Sequence, residues 1–307
     1  MQPFEKDQFV MSNAVELIEP KESETREFPC RIVCLTEETT ETLYLLGEDH
    51  RIVGVSGYTV RPPEARTKPK VSAFISAKID KILALRPDLV LTFSDLQADI
   101  ARDLIRHGLT VFSFNQRSVT AILQMIQTLA RLIGASEKGK ALVEQLQSGL
   151  RAIRVSAAHF PHRPRVLFEE WKDPLISGIR WVEELIEIAG GDSAFPELRA
   201  HVLAKDRILR PAQVIERDPE VIIGSWCGVK VNKNYIASRE GWSQISAVRN
   251  HHLYEIKSTY ILQPGPAALT EGVRQLHAIL ARVVNVEVDS GLAPEERMDP
   301  DLIVQKR

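Results

Sequence analysis

A chain of 307 residues, 44% hydrophobic and 26% charged, has an ordinary globular composition and room for two domains. Its formal net charge of −2 gives no electrostatic basis for a nucleic-acid or anionic-membrane partner. No run of roughly 18 apolar residues offers a membrane span, and three cysteines (Cys30, Cys34, Cys227) are too few and too scattered for a disulfide framework.

Residues 1–28 mix Glu and Lys throughout and read as a loosely held polar extension. They lack a basic start followed by a continuous apolar stretch, so the sequence as it stands predicts a cytoplasmic protein; a true start further upstream would make it periplasmic. Cys30–Thr36, "CRIVCLT", is a β-branched apolar run that suits a buried strand. The C-x3-C pair within it has no second Cys/His pair nearby and reads as two small buried hydrophobes. "EETTETLYLLG" predicts a helix stopped by Gly47, and Arg51–Tyr58 a second strand that ends at the proline-broken loop "TVRPPEARTKPK". A helix around Ile79–Leu85, a strand Leu89–Phe93, a helix Gln97–His107 and a strand Thr110–Phe114 follow. From Ser118 to about His159 there is no strand candidate. Apolar residues at helical spacing predict two helices there, the second 20 to 25 residues long, or about 30 to 37 Å.

After "PHRPR" the alternation resumes. "RVLFEEW" is a strand, "RWVEELIEIAGG" a helix closed by glycines, "PAQVIERDP" a helix stopped before proline, and "EVIIGSW" a strand. "GWSQISAV" is a short helix, "HLYEIKS" a strand, and "GPAALTEGVRQLHAILARVV" a closing helix with Pro266 in its first turn. The expected division is an extension (1–28), an N-terminal α/β lobe (29–117), a helical segment with a bridging helix (118–160), a C-terminal α/β lobe (161–287) and an acidic tail (288–307). Strand–helix alternation predicts parallel sheets covered on both faces. The fold class is therefore α/β, with two Rossmann-like lobes of mainly parallel sheet joined by one long bridging helix; a single stiff connector predicts limited hinge motion.

One sentence of the chain is written twice. "KILALRPDLVLTFSD" (Lys81–Asp95) and "QVIERDPEVIIGSWC" (Gln213–Cys227) both run from an apolar helix to a charged residue, a proline, an acid and an aliphatic strand. The period is far too long for a solenoid and points to a duplicated lobe. Ligands of open α/β sheets bind beyond the carboxyl ends of the strands, so two facing lobes line one cleft.

Motifs for catalysis are missing. "GASEKGKA" (Gly134–Ala141) follows a helix and has Ala141 where a phosphate loop needs a hydroxyl, so it reads as a helix–helix turn. "GDS" at Gly191–Ser193 follows a helix and reads as its C-cap, and no histidine pair has metal-ligand spacing. The chain is thus expected to be a binding protein with no catalytic residues, no metal site and no intrinsic cofactor. What collects at the predicted strand ends is a ligand-binding set: Glu37, Tyr58, Phe74, Ser94, Asp95, Trp171, Trp226, Tyr260 and Gln263, with Glu38, Glu169, Glu170 and Cys227 beside them. Aromatic faces with a few polar groups describe a site for a large flat ligand.

The residues "RIVCLTEETTETLYLLGEDHRIVGVSGYTVRPPEA", "KVSAFISAKIDKILALRPDLVLTFSD", "WKDPLISGIRWVEELIEIAGGDSAF", "RPAQVIERDPEVIIGSWCG" and "QPGPAALTEGVRQL" resemble the cobalamin- and siderophore-binding proteins of ABC importers. The resemblance covers about residues 30–285 and is nearest the cobalamin branch, through "GVSGY…PP" and the aromatic after "VS". It implies a monomer that holds cobalamin or a related corrinoid between Tyr58 and Phe74 on one lobe and Trp171 and Trp226 on the other. It also implies an ABC permease partner docked by one acidic residue per lobe. The first falls on Asp80; the second falls on Ala212, where the carboxylate is replaced. The Pro-Gly-Pro segment is flanked by Gln263 and Ala267, whereas many relatives have an arginine before or after it, which favours a neutral corrinoid over an anionic siderophore. The alternatives are a siderophore-binding protein, or a cytosolic carrier, sensor or enzyme derived from the fold.

Overall fold

The computed structural model describes residues 27–289 and 291; the N-terminal extension up to Arg26 and nearly all of the tail lie outside the described residues. Six strands form the first sheet: β1 (Ile32–Cys34), β2 (Ile52–Ser56), β3 (Lys70–Ala73), β4 (Ser76–Ala77), β5 (Leu89–Phe93) and β6 (Val111–Phe114). Their order is β4-β3-β2-β1-β5-β6, parallel throughout except for β3–β4. The second sheet contains β7 (Arg165–Lys172), β8 (Leu175–Ser177), β9 (Asp192–Ser193), β10 (Val221–Gly224) and β11 (Leu253–Glu255), ordered β11-β10-β7-β8, with β9 also on β7. Only β7–β8 is antiparallel. Every residue of β1, β5 and β10 is buried, as central strands of a sheet covered on both faces require.

The duplicated sentence has a duplicated structure. Arg86 (φ 46) and Asp218 (φ 42) both take the left-handed conformation that ends a helix before proline. The acid after each proline then grips the start of a neighbouring strand. Asp88 accepts from the backbone N–H groups of Cys30 (2.7 Å) and Arg31 (2.9 Å), just before β1, and Glu220 accepts from that of Arg165 (2.8 Å), at the start of β7. Each strand-start arginine returns the contact: Arg31 Nη2 donates to Leu85 O (2.6 Å), and Arg165 Nη2 to Asp218 O (3.1 Å).

Between the sheets run the helices Val119–Leu132 and Ser136–Ala157. At 22 residues the second is about 33 Å long and fulfils the bridging helix of the sequence analysis. Lys138, near its start, reaches Glu48 of the first lobe (2.6 Å). Near its end Ser156 Oγ meets His277 Nε2 (2.9 Å), while His277 Nδ1 donates to Ala189 O (2.8 Å). Burial lowers the His277 pKa, so the neutral ring donates through Nδ1 and accepts through Nε2. One apolar cluster runs from Ile32 and Leu91 through Leu142 and Leu146 to Val166 and Leu276, joining both lobes.

Four strands go beyond the sequence expectation: β3 and β4 within the stretch after the proline-rich loop, and β8 and β9 in the second lobe. At two to four residues each is too short to show a period. The helix Lys233–Ala237 also goes beyond it, and the expected "GWSQISAV" helix divides into turns at Trp242–Gln244 and Ser246–Arg249. No helix among the described residues is long and apolar enough to cross a membrane.

Gly139 is buried inside the bridging helix, where an added methyl would press on the Cβ of Ala130. Overpacking costs about 1–3 kcal/mol, against a helix-propensity gain of about 1 kcal/mol for alanine. Gly139→Ala is therefore expected to lower the urea midpoint; a raised midpoint would show that the Val119–Leu132 helix yields without cost.

Candidate ligand-binding cleft

Beyond β1 the chain turns directly into the helix Glu37–Leu45, whose first two turns carry three buried carboxylates, Glu37, Glu38 and Glu41. A helix N-terminus favours negative charge, which offsets part of the desolvation. Glu37 accepts from Ser56 Oγ (3.0 Å) and meets the Gln263 side chain; burial nonetheless pushes its pKa up. Glu38 accepts from Thr36 Oγ1 (2.8 Å), and burial, then the neighbouring Glu37 charge, push it up to about 8. Glu41 accepts from the Ala267 N–H (3.1 Å) and pairs with Arg61 Nε (3.3 Å). Arg61 also reaches Glu271 (2.8 Å) and lies 4.8 Å over the Tyr260 ring.

These contacts form a seam between the lobes. Gln116, following β6, donates through Nε2 to Pro264 O (3.0 Å). At Gly265 a side chain would come within 2.5 Å of Glu38 Cβ and 3.0 Å of its Cα, so only glycine allows this approach. A small cavity opens at the seam, lined by Glu37, Glu41, Val60, Arg61, Thr259 and Gln263. Larger concavities have volumes of about 770 and 580 Å³, one around Lys172, Pro211 and Tyr235 and one that starts at Ser94 and Asp95 and runs outward over Ala98, Ile105 and Ser113. The cleft is the better candidate because strand ends of both sheets and buried polar side chains converge there.

On the first-lobe wall the buried Gln97 ties three strand ends together. Its amide accepts from Phe93 N–H (3.0 Å) and donates to Leu35 O (3.3 Å) and Phe74 O (2.8 Å). Phe74 is half-buried beyond β3, while Tyr58, two residues past β2, is 60% exposed. Ser94 is buried with φ 57 and accepts from Leu96 N–H (3.3 Å). Asp95 is exposed and 3.5 Å from Arg117, whose guanidinium lies 5.0 Å over Phe93. Burial lowers the Arg117 pKa; Arg207 lowers it further, while Asp95 and Glu170 counter. Arg207 and Glu170 belong to the second lobe, so Arg117 faces across the cleft.

The second-lobe wall differs from the sequence expectation. Trp226 is only 3% exposed and belongs to that lobe's apolar core. Its Nε1 donates to Glu169 (2.9 Å), Tyr235 meets it edge-on at 6.1 Å, and Lys172 sits 5.2 Å over it. Its ring is a support behind the wall, not a bare stacking face. Glu169 itself is fully buried and takes two further bonds from Arg239 (2.6 and 2.9 Å). An irregularity in the β7–β8 pairing lies between Glu169 and Trp171. Glu170 pairs with the buried Arg207 (2.7 Å), and Trp171 is half-buried with Nε1 donating to Asp173 O (2.9 Å). The Cys227 thiol is pushed up by desolvation, then by the charges of Glu37 and Glu170, which places it between the lobes. Tyr260 and Gln263 are half-buried at the seam.

Glu37, Tyr260 and Gln263 are thus brought together, with Tyr58, Phe74, Ser94, Asp95 and Trp171 at strand ends around them and Trp226 set behind. Asp80 and Ala212 are both exposed, each the second residue of its helix, Ile79–Ala84 and Pro211–Arg217, so they are equivalent positions of the two lobes. Among the described residues no group of three or more His, Cys, Asp or Glu is gathered to hold a metal. Arg61, Gln116, Arg117 and Glu271 belong to the candidate site and were missed by sequence reasoning. No motif marks them, because their partners arrive from 20 to 210 positions away.

The periplasmic binding protein family profile matches residues 32–260. The chain belongs to that family. An uncharacterised ABC transporter substrate-binding lipoprotein of Bacillus subtilis is 28% identical over 257 residues, covering 81% of this chain and 79% of that protein. The vitamin B12-binding protein of Vibrio parahaemolyticus is 26% identical over 247 residues, covering 78% and 85%. Among solved structures, the periplasmic heme-binding protein of Roseiflexus sp. RS-1 in its apo form has a TM-score of 0.69 at 24% identity, covering 81% and 98%. The two-lobed fold and the substrate-binding character expected from sequence both stand.

Because Arg239 neutralises a fully buried carboxylate, Arg239→Ala is expected to lower unfolding free energy by about 3–5 kcal/mol, the usual cost of stranding a buried charge. Chemical denaturation measures it, and a loss below about 1 kcal/mol would mean that water reaches Glu169 without difficulty.

Proposed function

We propose that this member of the family is the substrate-binding component of an ABC importer and that its ligand is a corrinoid, cobalamin or a close relative, held between the lobes. The observation that carries the ligand class is the state of the cation at the cleft floor. Arg61, the cation lining the floor, is engaged by Glu41 and Glu271 and stacked on Tyr260, and Gln263 beside it is neutral. A floor with buried glutamates and a neutral amide offers little to the carboxylates of a heme or an anionic siderophore. It suits a flat ligand edged with hydrogen-bond donors, such as the carboxamides of a corrin. Tyr58, exposed at the mouth, with Phe74 and Trp171, supplies faces for stacking. The vitamin B12-binding relative supports the same choice, and the heme-binding structural neighbour makes heme the competing reading.

Under this proposal Asp80 is the carboxylate that docks the first lobe on the permease, and the protein acts as a monomer. Ala212 leaves the second lobe without the matching charge, so docking is weaker on that side. Delivery to a permease also places the protein outside the cytoplasmic membrane; the cytoplasmic expectation rested on residues outside the described set.

The test is a calorimetric titration with cyanocobalamin, run beside hemin. Saturable one-to-one binding of cyanocobalamin, micromolar or tighter, with hemin at least tenfold weaker, is expected. Tyr58→Ala should weaken it about tenfold, or about 1.4 kcal/mol. Tight hemin binding without cyanocobalamin binding would replace the corrinoid with heme.

A further inference from the structure

The hairpin of β3 and β4 has little of its own to hold it in place. Its ladder pairs Ser72 with Ala77 and Ala73 with Ser76, and the β2–β3 register shifts between Val55 and Ser56. Ile75 at the tip is 72% exposed, so packing holds the tip weakly. Phe74 beside it is nevertheless fixed at its backbone, where its carbonyl accepts from Gln97 Nε2 (2.8 Å).

Gln97 comes from the far side of that wall. β3 and β5 are separated by β2 and β1, a distance of about 14 Å at about 4.8 Å per strand. One amide touches both because the two segments converge over the end of β1. Gln97 Oε1 accepts from the N–H of Phe93, the last residue of β5 (3.0 Å), and Nε2 also donates to Leu35 O, directly after β1 (3.3 Å). The side chain is fully buried, and its bonds use both ends of the amide.

The turn that carries Gln97 is strained. Ser94 holds φ 57 with ψ −177, a combination that residues with side chains rarely adopt. Its N–H donates to Phe114 O (2.7 Å), its Oγ accepts from Leu96 N–H (3.3 Å), and its carbonyl accepts from Gln97 N–H (3.3 Å). Such strain persists only where the surroundings over-determine it. Here they direct Gln97 back over the strand ends.

We propose that Gln97 is a positioning residue of the cleft, a clasp that draws the Phe74 hairpin from the β3 margin toward the end of β1, where the Glu37–Leu45 helix begins. Fully buried, it does not touch the ligand itself. It holds Phe74 in place before a ligand arrives, so less ordering is left to be done on binding. A hairpin released from the clasp weakens the ligand in proportion to the time that it spends out of place. The effect on the ligand rests on the proposed function; the effect on the hairpin does not.

Two measurements on the full chain test the clasp. The first is hydrogen exchange without ligand. In the wild type the hairpin amides of residues 70–77 and the Phe93 amide are expected to open together, within about tenfold of one another. Gln97→Met, which keeps the length and loses the bonds, is expected to lower hairpin protection about tenfold or more while Val221–Gly224 in β10 is unchanged. The second is a double-mutant cycle on the affinity for cyanocobalamin, or for hemin if only hemin binds. Gln97→Met alone is expected to weaken binding about tenfold, but less than about twofold in a Phe74→Ala background, because the clasp acts through Phe74. A residue that merely supports the fold would cause the same loss in both backgrounds, and that result overturns the proposal. Unchanged hairpin protection in the variant, or a wild-type hairpin that exchanges far faster than Phe93, overturns it too. If neither ligand binds, the ligand readings fall and hydrogen exchange alone decides the clasp. If Gln97→Met does not fold, Gln97→Asn, one methylene too short to reach Phe74, replaces it, and the wild-type comparison stands in either case.

Discussion

The carboxylate that follows the proline in each lobe sets the frame for the rest. Asp88 and Glu220 each bind backbone N–H groups where a neighbouring strand begins, and thereby fix two parallel strands at the same level. Parallel strands have no hairpin to set their register, and these side-chain contacts help to set it. With the starts fixed, β1 ends opposite Leu91 and β5 two residues later at Phe93, so their following loops emerge at one rim of the sheet. A cleft between two such rims follows from the geometry. The left-handed residue before each proline brings the acid into position directly after its helix ends, which is why the two fifteen-residue stretches are so alike.

The cleft floor then places three glutamates where burial is costly. Each is accommodated differently. Glu37 keeps hydrogen bonds to Ser56 and Gln263, Glu41 takes the arginine, and Glu38, which accepts from Thr36, is pushed up to about 8 by burial and the Glu37 charge. Burial and mutual repulsion raise the proton affinity of carboxylates crowded within two helical turns, because like charges in low dielectric repel strongly. On the opposite wall Glu169 is held by Arg239 and Trp226, and that full satisfaction keeps it fixed in place. That wall of the cleft is therefore tightly pinned.

Much of this frame was legible in the sequence because it is written in local patterns. Continuous aliphatic runs between a proline and a polar residue gave β5 and β10, and a long apolar period without strand signals gave the bridging helix. The strands β3, β4, β8 and β9 were not legible, since so few residues show no alternation. Of the candidate site, the sequence could point only to residues next to strand ends, such as Glu37, Tyr58 and Gln263. Arg61 and Gln116 were hidden, because their importance depends on Glu271 and Pro264, more than a hundred positions away. Trp226 was misjudged for a related reason. Its position after a strand end suggested exposure, but Glu169, fifty-seven residues earlier, draws its indole N–H inward.

The chemistry of the two contacts between the lobes decides how the molecule can move. Along the bridging helix the lobes share one apolar core, and separating it exposes hydrocarbon to water at about 25 cal/mol for each Å². At the seam they meet through Gln116, Glu41, Arg61 and Glu271, polar groups whose partners water can replace at a net cost of about 1 kcal/mol per bond. Opening is therefore confined to the seam side, with the helix as its fixed edge. A 33 Å helix anchored in both lobes makes that opening a small rotation. A ligand that enters by a small rotation must be flat or slide in edge first, so the stiffness of the connector restricts the shape of what the cleft can admit before any side chain has touched it.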